Sequence, residues 1–383
     1  MLLIKILLAA LGLLSLVLTL WQWAVARRFP LHQRVSDKSF APAVTLLKPL
    51  KGCDDHTENC VRSWFTQDYS GPVQILFGVA SPEDPACRLI RELMHAHPTC
   101  DAQLVICRQA LGSNAKVSTL AQLQPHIKYD VVIISDADVR VPPDLLMNFI
   151  NPLRNPAVGL VNCFYRLANP TTLAMRCEAV AINADFWSQV LQSQSLKPLD
   201  FALGAAMATT RDHLGGVGGF SALLDYLADD YQLGHKIAER GGLVVLCPIT
   251  VECWSAPMNW KEVWTHQLRW ARTIRICQPF PYFLSILSNA TLWPLLWFAS
   301  RPALGTLMVL LGCLLVRVLT ARDNERRLAT QPLHVGDWWL VLVKDLLNTA
   351  IWALAFMGNK IQWRGENYRV LAGGQLVKPT SAG

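Results

Sequence analysis

The feature that most constrains this chain is the apolar run from residue 2 to residue 25 (LLIKILLAALGLLSLVLTLWQWAV), whose only charge is Lys5. About 20 consecutive apolar residues cross a hydrocarbon core, and a lysine near one end can snorkel to the interface. Ala24-Val25-Ala26 has the form of a signal-peptidase site, which offers a cleaved leader as the alternative. The leading segment supplies only one charge, however, and the apolar run is longer than a signal-peptide core. An uncleaved anchor over residues 1–28 is expected. Arg27, Arg28, Arg34 and Lys38 follow at once, and the positive-inside bias places the rest of the chain in the cytoplasm.

Apolar character returns after residue 280 in three blocks, 280–299, 302–319 and 337–356. Pro294 interrupts the first. Lys344-Asp345 stands near the middle of the third, a costly pair in lipid unless it faces protein or water. Three crossings put the tail, 357–383, on the side opposite the central region; two crossings with one interfacial or re-entrant piece put it on the same side. The basic loop Arg322, Arg326 and Arg327 favours the odd count, and the equally basic tail favours the even one. Composition agrees with a membrane protein. Hydrophobic types reach 52% and charged types only 16%, against about 25% in soluble domains. Disorder is excluded by the same numbers. A net charge of +7, dispersed along the chain, is too weak for a nucleic-acid footprint and suits the anionic face of a bilayer. The 11 cysteines contain no C-x-x-C and are expected as reduced thiols.

Between 41 and 275 the pattern changes to short apolar runs separated by turns. Val44–Leu47, Val73–Val79, Leu104–Ile106 and Val131–Ile134 have strand character, and Glu58–Gln67 and Cys87–Ala96 between them have helical character. This alternation predicts an α/β domain with a mostly parallel sheet and helices on both faces. Ligands in such sheets bind beyond the carboxyl ends of the strands. Two of those turns are acidic: Ser81-Pro82-Glu83-Asp84-Pro85 and Ser135-Asp136-Ala137-Asp138. Two carboxylates one residue apart repel each other, which a hard divalent cation relieves; Mg²⁺ favours one or two carboxylates plus substrate phosphates. The plain alternative is a solvated turn that caps a helix. A third acidic pair, Asp229-Asp230, opens an amphipathic helix. Helix capping accounts for Asp229 and leaves Asp230 as a spare carboxylate suited to general-base work. Further on, His266, Arg269 and Trp270 share one side of a helix at i, i+3 and i+4. That helix has the pattern of one lying on a membrane surface, and its arginine can grip a diphosphate.

In this order the motifs resemble the GT-A (Rossmann-like nucleotide-diphospho-sugar transferase) glycosyltransferases of family 2, and more closely the ceramide glucosyltransferase branch (family 21). Leu47-Lys48-Pro49-Leu50-Lys51-Gly52 is similar to that branch's first-strand signature. Gly112-Ser113-Asn114-Ala115-Lys116 is similar to its G-x-N-x-K loop, and Ala228-Asp229-Asp230-Tyr231 to its A-E-D-Y. Residues 266–275 (HQLRWARTIR) look most like the bacterial hopanoid-biosynthesis-associated glycosyltransferases of the branch. The sequence departs from the pattern at His266, where Gln or Arg is usual. It keeps Asp138, which the animal ceramide enzymes tend to lack.

The resemblance implies a membrane-bound inverting enzyme of the bacterial inner membrane, with a cytoplasmic domain over 41–275 and an interfacial helix near 260–275. It implies a UDP-sugar donor, here UDP-N-acetylglucosamine, and a lipid acceptor, here bacteriohopanetetrol; UDP-glucose and ceramide are the alternative. Mg²⁺ or Mn²⁺ would be the cofactor, bound by Asp138. Asp84 would meet the uridine, Lys116 the nucleotide and its phosphates, and Asp136 the donor. Asp230 would be the base, with Arg269 and Trp270 closing on diphosphate and acceptor, and His266 and Gln267 assisting at the nucleotide sugar. A polytopic transport or assembly subunit, and a metal-dependent phosphotransferase or nucleotidyltransferase, are the competing classes.

Other features attract plainer readings. Gly215-Gly216-Val217-Gly218-Gly219 follows no strand, so it reads as a loop or helix end beside the pocket. His95, His97 and His126 read as surface residues. Several of the 14 tryptophans, such as Trp21, Trp23, Trp338 and Trp339, read as an interface belt. Trp363-Arg364-Gly365 with Tyr368 is similar to a tail motif of the family that covers the site.

Overall fold

A single eight-stranded sheet carries the central region in the computed structural model, which describes residues 2–329, 335–363 and 366–378. Its strands are β1 (Val44–Leu50), β2 (Val73–Val79), β3 (Asp101–Ile106), β4 (Val131–Ser135), β5 (Val139–Arg140), β6 (Val158–Leu167), β7 (Ala206–Thr210) and β8 (Leu243–Cys253). They lie in the order β3-β2-β1-β4-β7-β6-β8-β5. The first four are parallel, as the strand–helix alternation requires. β7 is antiparallel to both β4 and β6, and β5 is antiparallel to β8. The sheet is therefore mixed rather than mostly parallel. β7 (AMATT) is too short and too small in its side chains to stand out as an apolar run.

β1 is buried along its whole length, as expected of a strand covered on both faces. Its alternate residues serve two cores. Leu46 packs with Phe77, Ile90, Ile133 and Phe149 on one side. Leu47 packs with Leu76, Leu120, Ile134, Phe164 and Trp187 on the other.

Three helices have the length and composition of membrane spans: Leu2–Arg28, Leu304–Leu328 and Gly336–Ala355. The 280–299 block is no straight helix. It is a pair, Pro279–Ser288 and Leu292–Ser300, bent by 54°. The second member runs back along the N-terminal helix, with Pro294 against Gly12 and Thr19 donating to the Ser288 carbonyl at 3.4 Å. The Leu304–Leu328 helix then returns. At its end, Arg327 donates to the carbonyls of Ala26, Arg27 and Phe29. These helices form one bundle.

The last long helix, Trp338–Ala355, is tied to the central region at both ends. Before it, Asp337 accepts from Arg176 at 3.0 Å. After it, Asn359 accepts from Arg275. Lys344 and Asp345 face protein: Arg317 donates to Asp345 Oδ1 and Oδ2 and to Asp185 Oδ2, each at 2.8 Å, and Lys344 pairs with Asp185. Two cations and two anions thus close a neutral buried cluster. The chain then forms a small antiparallel sheet of β9 (Lys360–Trp363), β10 (Glu366–Val370) and β11 (Leu376–Val377). It docks on the central region, where Gln375 bridges to Tyr226 and Leu227 packs with Ile361 and Tyr368. The tail thus packs against the central region. Arg364 and Gly365 of the tail motif lie outside the described residues.

Candidate active site

The acids meet beyond the carboxyl ends of β1, β2 and β4. Asp84, after β2, caps the helix Pro85–Ala96 by accepting from Ala86 N at 2.9 Å. Both its oxygens also accept from Gly52 N at 3.0 Å, in the loop after β1. Gly52 has φ +72°, a conformation that a β-carbon would strain.

Lys116 is the centre of the site. Asn114 starts the helix Ala115–Leu123 by accepting from Val117 N, and donates to the Tyr226 carbonyl at 2.8 Å. Lys116, only 9% exposed, then reaches Asp136 Oδ1 at 2.8 Å and Asp229 Oδ2 at 2.9 Å. Burial alone depresses a lysine, but Asp136, Asp229 and then Asp230 outweigh it and hold the ammonium above its ordinary range. Asp229 is therefore the partner of Lys116. The helix Asp229–Glu239 has Ala228 at its N-cap, which corrects the capping role expected for Asp229.

Asp138 is exposed to the cleft but ringed by protein. That surrounding, then the like charge of Asp136, pushes its carboxyl up to about 6. Its backbone is fixed: the Asp138 carbonyl accepts from Trp254 N at 3.0 Å. Asp230 is also pushed up to about 6, first by burial and then by Asp229, against the opposing pull of Lys116. Its carboxylate lies over Gly204, at the start of β7. Because β7 runs antiparallel to β4, Gly204 and Ala205 arrive at the end of β4 where the acids stand, and Ala205 O accepts from Asp136 N at 3.1 Å.

One free carboxylate with a second alongside matches a hard cation that takes its other ligands from water and phosphates. Among the described residues, no three His, Cys, Asp or Glu side chains are placed to hold a metal by themselves. The donor set therefore fits Mg²⁺ or Mn²⁺ at Asp138 in company with a diphosphate.

The helix Trp260–Cys277 begins with a capping box, Asn259 and Glu262. His266 and Trp270 stack edge to face at 4.8 Å, and Trp270 meets Tyr165 at 6.4 Å. Tyr165 faces the acids: its phenol is raised first by burial, then by Cys253, Asp230, Asp136 and Asp138. His266 and Gln267 turn to Glu178, with Nδ1 and Nε2 at 2.6 and 2.7 Å from its Oε1. Arg269 lies on the same helix, and its carbonyl accepts from Thr273 at 2.8 Å.

The profile of glycosyl transferase family 21 matches residues 5–376. The chain belongs to that family. Ceramide glucosyltransferase 3 of Caenorhabditis elegans is 22% identical over 378 residues, covering 92% of this chain and 78% of the relative. Ceramide glucosyltransferase of Candida albicans is 33% identical over 125 residues, 30% of this chain and 23% of that one. Among solved structures, a mannosyltransferase of Pyrobaculum calidifontis in complex with GDP-Man and Mn²⁺ has a TM-score of 0.56 at 20% identity, covering 92% of this chain and 98% of that one. The fold is GT-A-like, and this family 21 chain is a glycosyltransferase with membrane helices.

Four residues of this family 21 site escaped the sequence reading as site residues: Lys48, Asp229, Tyr165 and Glu178. Lys48 had a signal, since it is a charge inside an otherwise apolar strand. It is fully buried beneath the site, donating to Ser135 Oγ at 3.3 Å and to the Asp136 carbonyl, and burial lowers it to about 8. Other expectations also shift. The helix Arg211–Gly216, with Gly218 and Gly219 after it, does mark a helix end, but at the opposite end of the strands from the acids. Arg211 N donates to Asp130 O before β4, because β7 runs away from the acids. His97 stacks on Phe65 at 5.1 Å instead of standing free on the surface.

Proposed function

We propose that this family 21 member is a membrane-bound, inverting glycosyltransferase that moves a hexose from a UDP-sugar to a hydroxyl of a membrane lipid. The observation that carries this is the cluster at Lys116: the end of β4 and the start of the helix Asp229–Glu239 deliver Asp136, Asp138, Asp229 and Asp230 around one buried ammonium. Asp84 keeps acceptor capacity for the uracil, since an ionised carboxylate has about four lone-pair sites and backbone amides take only some of them. Lys116 and Asp136 position the nucleotide and donor. Asp138 would hold Mg²⁺ or Mn²⁺, which when bound supplies charge neutralisation to the departing diphosphate.

Asp230 accepts the proton of the acceptor hydroxyl as its oxygen bonds to the anomeric carbon. The bond from that carbon to the diphosphate breaks, and UDP leaves with the electron pair. Arg269 stabilises the charge that develops there. A single displacement inverts the centre, so an α-linked donor yields a β-glycoside. Trp270, through Tyr165, sets the wall between donor and acceptor, and His266 and Gln267 are assigned to the acceptor side through Glu178. The orientation follows from Arg27 and Arg28 at the end of the N-terminal helix: the catalytic domain faces the cytoplasm of a bacterial inner membrane.

Two donor–acceptor pairs have support. The 266–275 stretch favours UDP-N-acetylglucosamine and bacteriohopanetetrol; the relatives named ceramide glucosyltransferase favour UDP-glucose and ceramide. The deciding test is transfer of label from each donor to each lipid by the purified protein in detergent with Mg²⁺, beside Asp230→Asn. Lipid-dependent UDP release that the variant loses is expected. Absence of UDP release with every pair would overturn the proposed UDP-sugar donors and lipid acceptors.

A further inference from the structure

The helices Trp260–Cys277 and Trp338–Ala355 line a half-open cavity of about 330 Å³. Trp260, Trp264 and Ile351 give it apolar walls, and Glu178, Gln267, Lys261 and Lys344 give it polar points. Glu178 is 2% exposed. Its Oε1 is shared by His266 and Gln267, whereas its Oε2 has no partner among the described residues. A buried carboxylate oxygen left unpaired is costly, and protein sites retain one where something else is to bind it.

We infer that this cavity receives the acceptor lipid, with Glu178 Oε2 accepting a hydrogen bond from a hydroxyl or amide of its neutral headgroup; the inference rests on the glycosyl-transfer reading above. Three features argue for this occupant. One wall belongs to a helix with the length and hydropathy of a membrane span and the other to the helix that leads into the bent apolar pair 279–300, so both walls are continuous with the apolar helices that a lipid would meet. The buried Glu178 carboxylate recognises a donor and disfavours a phosphate beside it; Lys344 is neutralised within its cluster, and Lys261, the other cation of the lining, is exposed to solvent. His266 and Trp270, in edge-to-face contact, connect Glu178 to Tyr165 and so to the acids. The group bound by Glu178 is not the reacting hydroxyl. It is a second donor on the same headgroup, which both ceramide and a hopanoid polyol possess.

The test varies acceptor and donor separately in steady-state kinetics of the full chain in mixed micelles, using whichever of ceramide or bacteriohopanetetrol the unchanged protein glycosylates. Glu178→Gln is expected to raise the acceptor KM about tenfold or more, the loss typical of a hydrogen bond to a charged group, and to leave the donor KM unchanged. Ala181→Leu fills the cavity from another wall without touching the bonds of Glu178, and it is expected to raise the acceptor KM in the same selective way. An acceptor KM within twofold of the unchanged protein in both variants, or an equal rise in the donor KM, would overturn the assignment. Absence of transfer by the unchanged protein would instead overturn the proposed function and this inference with it.

Discussion

The carboxylate of Asp230 rests on the bare backbone of Gly204: a β-carbon added there would stand 2.6 Å from Asp230 Oδ2 and 3.0 Å from its Cγ. No real β-carbon tolerates the shorter distance, so Gly204→Ala must push the carboxylate aside. A shift of about 1 Å in a reacting group can cost about 100-fold in rate. Gly204→Ala is therefore expected to lower kcat by about that factor while the donor KM stays near its original value. Steady-state kinetics beside a thermal melt would separate this from unfolding, and an unaltered kcat would remove Asp230 from the chemistry.

The pH profile tests the same residue independently. Asp230 acts as a base only when ionised, and burial followed by Asp229 pushes its carboxyl up to about 6. With metal and substrates saturating, kcat is expected to fall about tenfold per pH unit below 6 and to level off above it. Stability runs the other way. The folded state favours the protonated form, so this group's contribution is full below its unfolded value and is lost as pH rises through 6. An acid limb that survives in Asp230→Asn would assign the titration elsewhere.

The buried charge cluster of Arg317, Asp185, Lys344 and Asp345 predicts strong coupling. Removing one charge leaves its partner uncompensated, at a cost of about 3–5 kcal/mol. Lys344→Met and Asp185→Asn are each expected to lower stability by about that much, while the double variant, which keeps the Arg317–Asp345 pair, loses much less than their sum. A double-mutant cycle by denaturation in detergent measures this, and simple additivity would show the cluster to be loosely held.

Chain topology can be read by labelling. Both ends of the Trp338–Ala355 helix are tied to the central region, whereas the turn at Arg301-Pro302 lies at the other end of the helical bundle. Cysteines placed at Leu371 and at Pro302, in a background without the exposed Cys53, are expected to label from opposite sides of sealed vesicles. Labelling from the same side would favour the odd number of crossings.

Much of this was legible in local patterns. β2 was read to its residue limits because burial leaves a mostly apolar run, and Asp84, Asp136 and Asp138 stood out because turns after such strands are where ligands bind, while Lys116 came with the family resemblance alone. β7 was not legible. Its five small residues carry no periodic signal, and its direction depends on which neighbours it pairs with. The role of Asp229 was misjudged for a related reason: a carboxylate at a helix start is ordinarily a cap, and only the approach of Lys116 from residues far away in the chain shows otherwise.

By itself, the sequence determined the membrane attachment, the α/β character of the first half and the positions of the acids, because hydropathy, strand burial and turn chemistry act over short stretches of chain. Tertiary structure decided which acid the lysine holds, that Asp230 sits on Gly204, that Lys344 and Asp345 are neutralised by Asp185 and Arg317, and that the tail returns to the central region. Each of these joins residues distant in sequence. Their energies come from desolvation and charge compensation within the packed fold, which no local pattern encodes.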